Sequence, residues 1–314
     1  DPGQPFTLHA ADGYALAATR FEPAAAAAAP LGELVVGGAT AVPQGFYRRF
    51  AAHAAARGWR VTTLDYRGVG RSAPARLRGF EVDLLDWARL DLAAAIDAAW
   101  TPGRPLVVVG HSYGGHAIGL LPRPERVAAV WTFGTGAGWH GWMPRAERLR
   151  VLALWHLVGP PVTRALGYMP GRRLGIGEDL PLRVYRQWKR WCHNPRYFFD
   201  DPALPELPAL FERVRAPIAA ANALDDLWAL PASRDAFMAG YRRAPWTAVD
   251  LDPAQHGPIG HMGYFRPQAE GLWTMALDWL AVQAACAAAP PALSPPVAAR
   301  PPARQGQLEA TDRA

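Results

Sequence analysis

The sequence predicts an α/β fold: a mostly parallel central sheet with helices on both faces and an inserted helical cap. Three observations carry that expectation. Short apolar, β-branched runs alternate with helix-compatible stretches over the first 135 residues, which is the pattern of parallel strands covered on both faces. The alternation breaks in a Trp-, Gly- and Pro-rich stretch from Gly136 to Leu210 and then resumes. One apolar run, Leu106 to Val109, leads directly into Gly110-His111-Ser112-Tyr113-Gly114, the G-x-S-x-G pattern of a sharp strand-to-helix turn. With 314 residues, half of them hydrophobic, the chain can bury a large core.

The elements follow in order. Phe6 to Phe21 reads as an opening hairpin around the Asp12-Gly13 turn. Glu22 to Pro30 is an Ala-rich connection, and Leu31 to Val36 is the next strand. Gly45 to Arg57 reads as a helix, with Phe46, Phe50 and Ala54 on one face. Arg60 to Asp65 is a strand, and Asp83 to Trp100 is a long amphipathic helix. Leu106 to Val109 is a buried strand, Gly115 to Leu121 begins the following helix, and Val127 to Phe133 is another strand. Gly136 to Leu210 is too long for a simple loop and reads as a cap over the turn. Pro217 to Asn222 and Trp246 to Leu251 read as strands, with helices from Ser233 to Tyr241 and from Pro267 to Cys286. The expected organisation is a core of residues 1–135 and 211–286, a cap of 136–210 and a Pro-rich, disordered tail of 287–314.

The pentapeptide points to nucleophilic catalysis. A serine hydroxyl attacks poorly at neutral pH, so it needs a base to take its proton and an acid to orient that base. In this turn type the partners follow in the order serine, acid, histidine. Asp225 and Asp226 lie just past the strand that ends at Asn222, at the edge where open sheets bind ligands. Asp226 is preferred because it lies a few residues before Pro231, and Asp225 stays the alternate. His261 is the expected base because it immediately precedes the terminal helix; His256, nearer the strand end, is its alternate. His111 reads as a packing or hydrogen-bonding residue, and His116, His140, His156 and His193 come too early in the chain. The oxyanion donors are expected to be the backbone N–H of Tyr113 and that of Ala39 or Thr40, in Gly37-Gly38-Ala39-Thr40.

Charge and cysteine content narrow the classes. The net charge of +6 is spread along the chain, with a local excess from Arg183 to Arg190. No recognition module accompanies that excess, so no nucleic-acid partner is expected. A solvated helix face, or attraction for an anionic substrate, accounts for it equally well. Two distant cysteines, Cys192 and Cys286, make no disulfide framework. No metal-ligand pattern or cofactor motif is present, so no cofactor is expected. No apolar run approaches bilayer length, and no basic-then-apolar leader is visible, which reads as cytoplasmic. The start at Asp1 leaves a removed segment open, and the oligomeric state is not legible.

These motifs together carry a resemblance. Ala39-Thr40-Ala41-Val42-Pro43-Gln44, Phe46-Tyr47-Arg48-Arg49-Phe50-Ala51, Asp65-Tyr66-Arg67-Gly68-Val69-Gly70-Arg71-Ser72 and Gly110-His111-Ser112-Tyr113-Gly114-Gly115 belong to it. So do Gly167-Tyr168-Met169-Pro170-Gly171, Gln187-Trp188-Lys189-Arg190-Trp191-Cys192, Asp225-Asp226-Leu227-Trp228 and Gly260-His261-Met262-Gly263-Tyr264-Phe265. Over about residues 5 to 285 the chain resembles bacterial α/β-hydrolases of the serine aminopeptidase/monoglyceride-lipase-like group, and more closely a poorly characterised subfamily of predicted hydrolases. Gly37-Gly38 departs from the His-Gly pair that many of these proteins carry there. The resemblance implies the α/β-hydrolase fold and a Ser-Asp-His triad, not a substrate. The expected chemistry is cleavage of a small or acyl-chain carboxylic ester. Acyl transfer or amide hydrolysis by the same triad, and a non-catalytic binding role, are the alternatives. The Trp-rich cap suggests an apolar pocket lined by Trp139, Trp142, Tyr168, Trp188 and Trp191, suited to an apolar or acyl-containing small molecule.

Overall fold

A computed structural model of the protein describes residues 3–23 and 30–288. The opening strands β1 (Gln4–His9) and β2 (Ala15–Phe21) pair antiparallel across the Asp12-Gly13 turn. The chain continues through β3 (Gly32–Gly37), helix α1 (Arg48–Ala56) and β4 (Trp59–Leu64). Helix α2 spans 84–99 and widens into a π turn over Trp87–Leu92. Next come β5 (Leu106–His111), the short helix α3 (Tyr113–Ala117) and β6 (Ala129–Phe133).

The following stretch adds no strand to this sheet. Helix α4 (145–166), also with a π turn, leads to a two-stranded ribbon of β7 (Tyr168–Met169) and β8 (Leu180–Pro181), then to helix α5 (Leu182–Trp191). The α/β rhythm resumes with β9 (Ile218–Ala223), α6 (Pro231–Met238), β10 (Trp246–Leu251) and the long α7 (Glu270–Ala288). Helix α7 runs past residue 287, where the tail was expected to begin; from 289 on, the tail lies outside the described residues. Among the described residues, no helix is long and apolar enough to cross a membrane.

The strands form one sheet in the order β1-β2-β4-β3-β5-β6-β9-β10, parallel from β4 onward. β5 shows why its sequence is continuously apolar. Leu106 and Val108 pack into the core on one face, with α2 and α3; Val107 and Val109 pack into the core on the other, with α1 and α7. Both faces are buried, so no alternation is needed. From β3 the chain goes first to β4 on one side, and later reaches β5 on the other. The carboxyl ends of β3 and β5 therefore form a topological switch point, where open α/β sheets bind ligands. Gly37 pairs with Gly110 across these two strands, which brings the loop after β3 beside Ser112.

The loops at this edge are tied together by buried polar groups. The Asp65 carboxylate accepts from the Gln44 backbone and side-chain amides and from the Arg71 N–H. Arg67 sits between Asp12 and the fully buried Asp91. The Asp65–Ser72 motif thus acts as a clamp between the hairpin and the loops after β3 and β4.

Candidate active site

Ser112 lies at the tip of the turn between β5 and α3, with φ +51° and ψ −109°. This left-handed backbone is rare for a residue with a side chain. It is held by the Ser112 N–H donating to Phe133 O at 2.9 Å and the Thr135 hydroxyl donating to Ser112 O at 2.9 Å. A Cβ on Gly114 would lie 2.0 Å from the carbonyl oxygen of Gly37. Glycine is therefore required for α3 to pack against β3.

His261 sits on a one-turn helix, Gly260–Gly263, after β10. Its Nε2 lies 3.1 Å from Ser112 Oγ, and its Nδ1 lies 3.0 and 2.9 Å from the two Asp226 oxygens. Asp226 is fully buried. It also accepts from the Tyr264 hydroxyl at 2.8 Å and from the N–H groups of Trp228 and Ala229. Burial by itself raises a carboxyl group's pKa; the adjacent His261 and these donors outweigh it and hold Asp226 below the usual carboxylate range. Asp225 points elsewhere: it accepts the N–H groups of Ile259 and Gly260, both at 2.9 Å. It ties down the loop that carries His261. His256 ends a short helix, Pro253–His256, and it is His261, not His256, that reaches Ser112 and Asp226 at hydrogen-bond distance.

A second chain of hydrogen bonds supports the first. His111 is fully buried, and burial together with the neighbouring His261 pushes its pKa down to about 3. Its Nε2 is 2.9 Å from the carbonyl oxygen of His261. A carbonyl only accepts, so Nε2 carries the proton and Nδ1 of this neutral ring must accept. The Tyr47 hydroxyl, 3.0 Å away, donates to it, and Tyr47 Oη accepts the Ala39 N–H at 2.8 Å. The loop after β3 is thus linked through Tyr47 and His111 to the backbone of His261.

This chain also separates Ala39 from Thr40. The Ala39 N–H is already used by Tyr47, so Ala39 is a poor second oxyanion donor. The N–H groups of Thr40 and of Tyr113, the latter in the first turn of α3, meet no acceptor among the described residues.

Ser112 and His261 open onto a cavity of about 350 Å³. Its wall includes Thr40, Val42, Leu154, Ile176, Trp188 and Met262, and also Gly134, Gly136, Gly138, Gly175 and Gly177. Among the described residues, no Lys, Arg, Asp or Glu lines it. Cys192 does, but burial pushes its thiol pKa far up, so it is not a competing nucleophile. Among the described residues, no group of three or more His, Cys, Asp or Glu side chains is arranged to hold a metal ion.

Of the expected pocket residues, only Trp188 lines this cavity. Trp191 is turned into the core, where its indole N–H finds Asp201 at 2.8 Å. Trp142 donates outward to Pro195 O, and Trp139 packs edge-on against it. Tyr168 lines a separate groove between residues 68–78 and 166–179. The sequence reading missed His116, Tyr197 and Trp228, which do line it. The alternating glycines at 134, 136 and 138 were a usable signal, because space beside a site is often made by absent side chains.

The family model for serine aminopeptidases of group S33 matches residues 37–158, from the end of β3 into α4. Esterase PIR7B of Oryza sativa subsp. japonica is 39% identical over 178 residues; the match covers 51% of this chain and 65% of that protein's length. Among solved structures, a soluble variant of the Saccharomyces cerevisiae monoglyceride lipase superposes with a TM-score of 0.62 at 13% identity, covering 90% of this chain and 96% of that one. A monoacylglycerol lipase from Paleococcus ferrophilus gives 0.55 at 14% identity, covering 85% and 99%. The sheet order, the turn at Ser112 and these likenesses give the chain the α/β-hydrolase fold.

Proposed function

We propose that the protein is a serine esterase that cleaves a small or acyl-chain carboxylic ester through Ser112, His261 and Asp226. The observation that carries this reading is that one imidazole reaches Ser112 Oγ and both Asp226 oxygens at hydrogen-bond distance. His261 Nε2 takes the Ser112 proton as Oγ attacks the ester carbonyl. The Tyr113 and Thr40 N–H groups receive the oxyanion. His261 then gives its proton to the departing alcohol, leaving an acyl-enzyme. A water molecule, deprotonated by His261, adds to the acyl carbon; the acid departs, and the proton returns to Ser112. Asp226 fixes the ring and stabilises its charged form.

The uncharged cavity wall supports an apolar acyl group as substrate. The matched relative named as an esterase supports ester over amide. Labelling with a fluorophosphonate, followed by peptide mapping, tests the proposal. The label is expected on Ser112, and Ser112→Ala should remove both the label and turnover of activated esters. Full ester turnover by Ser112→Ala would overturn it.

A further inference from the structure

The two oxygens of Asp226 are held in different ways. Oδ1 accepts the backbone N–H groups of Trp228 and Ala229 at 3.0 and 3.1 Å. Oδ2 lies 2.9 Å from His261 Nδ1 and, besides that ring, accepts from one donor among the described residues, the Tyr264 hydroxyl at 2.8 Å. The main chain therefore fixes Oδ1, whereas a single side chain fixes Oδ2. A carboxylate held through Oδ1 alone can pivot about that oxygen and swing Oδ2 away from the imidazole.

The direction of the Tyr264 hydroxyl is fixed. It accepts the N–H of Ala223, the last residue of β9, at 2.9 Å. Its own proton goes to Oδ2, because a carboxylate oxygen only accepts. Burial, and then the nearby charge of Asp226, push the Tyr264 pKa well above its usual value, so the phenol keeps that proton. The ring is fully buried. It fits because residue 134 has no side chain: a Cβ there would lie 2.8 Å from the Tyr264 ring and 2.9 Å from Oδ2. Tyr264 also directly follows the one-turn helix Gly260–Gly263 that carries His261, and its carbonyl accepts the Trp273 indole N–H of α7 at 2.7 Å. The segment that presents the base thus also grips the acid.

We propose that Tyr264 is a positioning residue for the reaction: its hydroxyl keeps the Asp226 carboxylate turned toward His261 Nδ1. The imidazole then stays in line with Ser112 Oγ while it takes up and returns the proton. Tyr264 is not among the residues that wall the cavity, so it acts through Asp226 and not on the substrate. The proposal rests on the serine-esterase reading.

The test is a double-mutant cycle on the full chain, with an activated ester as substrate. In the parent chain Tyr264→Phe should lower kcat by about tenfold or more, the scale of one hydrogen bond to a charged group, with KM changed by less than about twofold. In an Asp226→Asn background the same substitution should change kcat by less than about twofold, because the group it acts through is gone. An equal loss in both backgrounds, which a purely structural role would give, would overturn the inference and leave the esterase reading standing. So would an unchanged kcat in the parent chain. Urea unfolding reports whether each variant folds. If Tyr264→Phe does not fold, 3-fluorotyrosine at position 264 keeps every contact and makes the hydroxyl a stronger donor. The low-field proton signal of the His261–Asp226 hydrogen bond should then shift, and an unmoved signal would overturn the inference. No ester turnover together with no fluorophosphonate label on the parent chain would overturn the esterase reading and this inference with it.

Discussion

Asp225 and Asp226 are neighbours with the same side chain, yet their environments give them different tasks. Asp226 accepts from His261, and Asp225 accepts the two N–H groups just before it. Asp226→Asn is expected to lower kcat by roughly 10³ to 10⁴-fold, because an amide cannot hold the required tautomer or stabilise the charged ring. Asp225→Asn keeps one acceptor oxygen for the loop and should lower kcat far less. Steady-state ester kinetics on the two variants check the order, and equal losses would contradict it. Tyr47 gives a second prediction. Tyr47→Phe strands both the Ala39 N–H and His111 Nδ1. It should cost about 2–4 kcal/mol of stability, the scale for two unpaired buried groups, measured by urea unfolding.

At the scale of elements, the legible parts were those where one chain segment decides the outcome. β5 is continuously apolar because both its faces are buried, and the turn after it announces itself through glycines. Ser112 and Asp226 each lie just past the end of a strand, whereas His261, beyond a short helix after β10, could be read from its place before the terminal helix. The stretch between β6 and β9 was legible only as an interruption. Its helix α4 changes pitch at a π turn, and no single period survives in the sequence. The link from Ala39 through Tyr47 and His111 to His261 joins three distant segments, so no local pattern could reveal it. The turn itself makes the prediction for this scale. Gly114→Ala would put a Cβ 2.0 Å from the Gly37 oxygen, so α3 must move away from β3. Activity should fall to background even if the protein still folds, with circular dichroism separating the two effects.

The whole molecule should lose stability in mild acid, with Asp91, raised by burial to about 6, offsetting part of the slope. His111 and His116 are buried and neutral, with pKa values pushed from 6.5 to about 3. The unfolded chain takes up protons at these positions below pH 6.5, and the folded chain does not. Their contribution to stability is therefore full above pH 6.5 and is lost as pH falls toward 3. The slope approaches about 2.7 kcal/mol per pH unit for two such groups. Urea midpoints between pH 7 and pH 4 measure it, and His116→Phe should halve this part of the slope. A midpoint that stayed flat from pH 6.5 to 4 would contradict it.

One contact couples the β7–β8 ribbon connection to the loop after β3. The Glu178 N–H donates to the carbonyl of Ala41 at 2.8 Å, and Gly177 rests against the same residue. Ala41 itself is held at φ +62°, directly after Thr40. Residues 177 and 178 therefore help hold Ala41 in its strained conformation, and with it the adjacent Thr40 amide proposed as an oxyanion donor. A loop remote in sequence from Ser112 thus bears on the electrostatic support available to it.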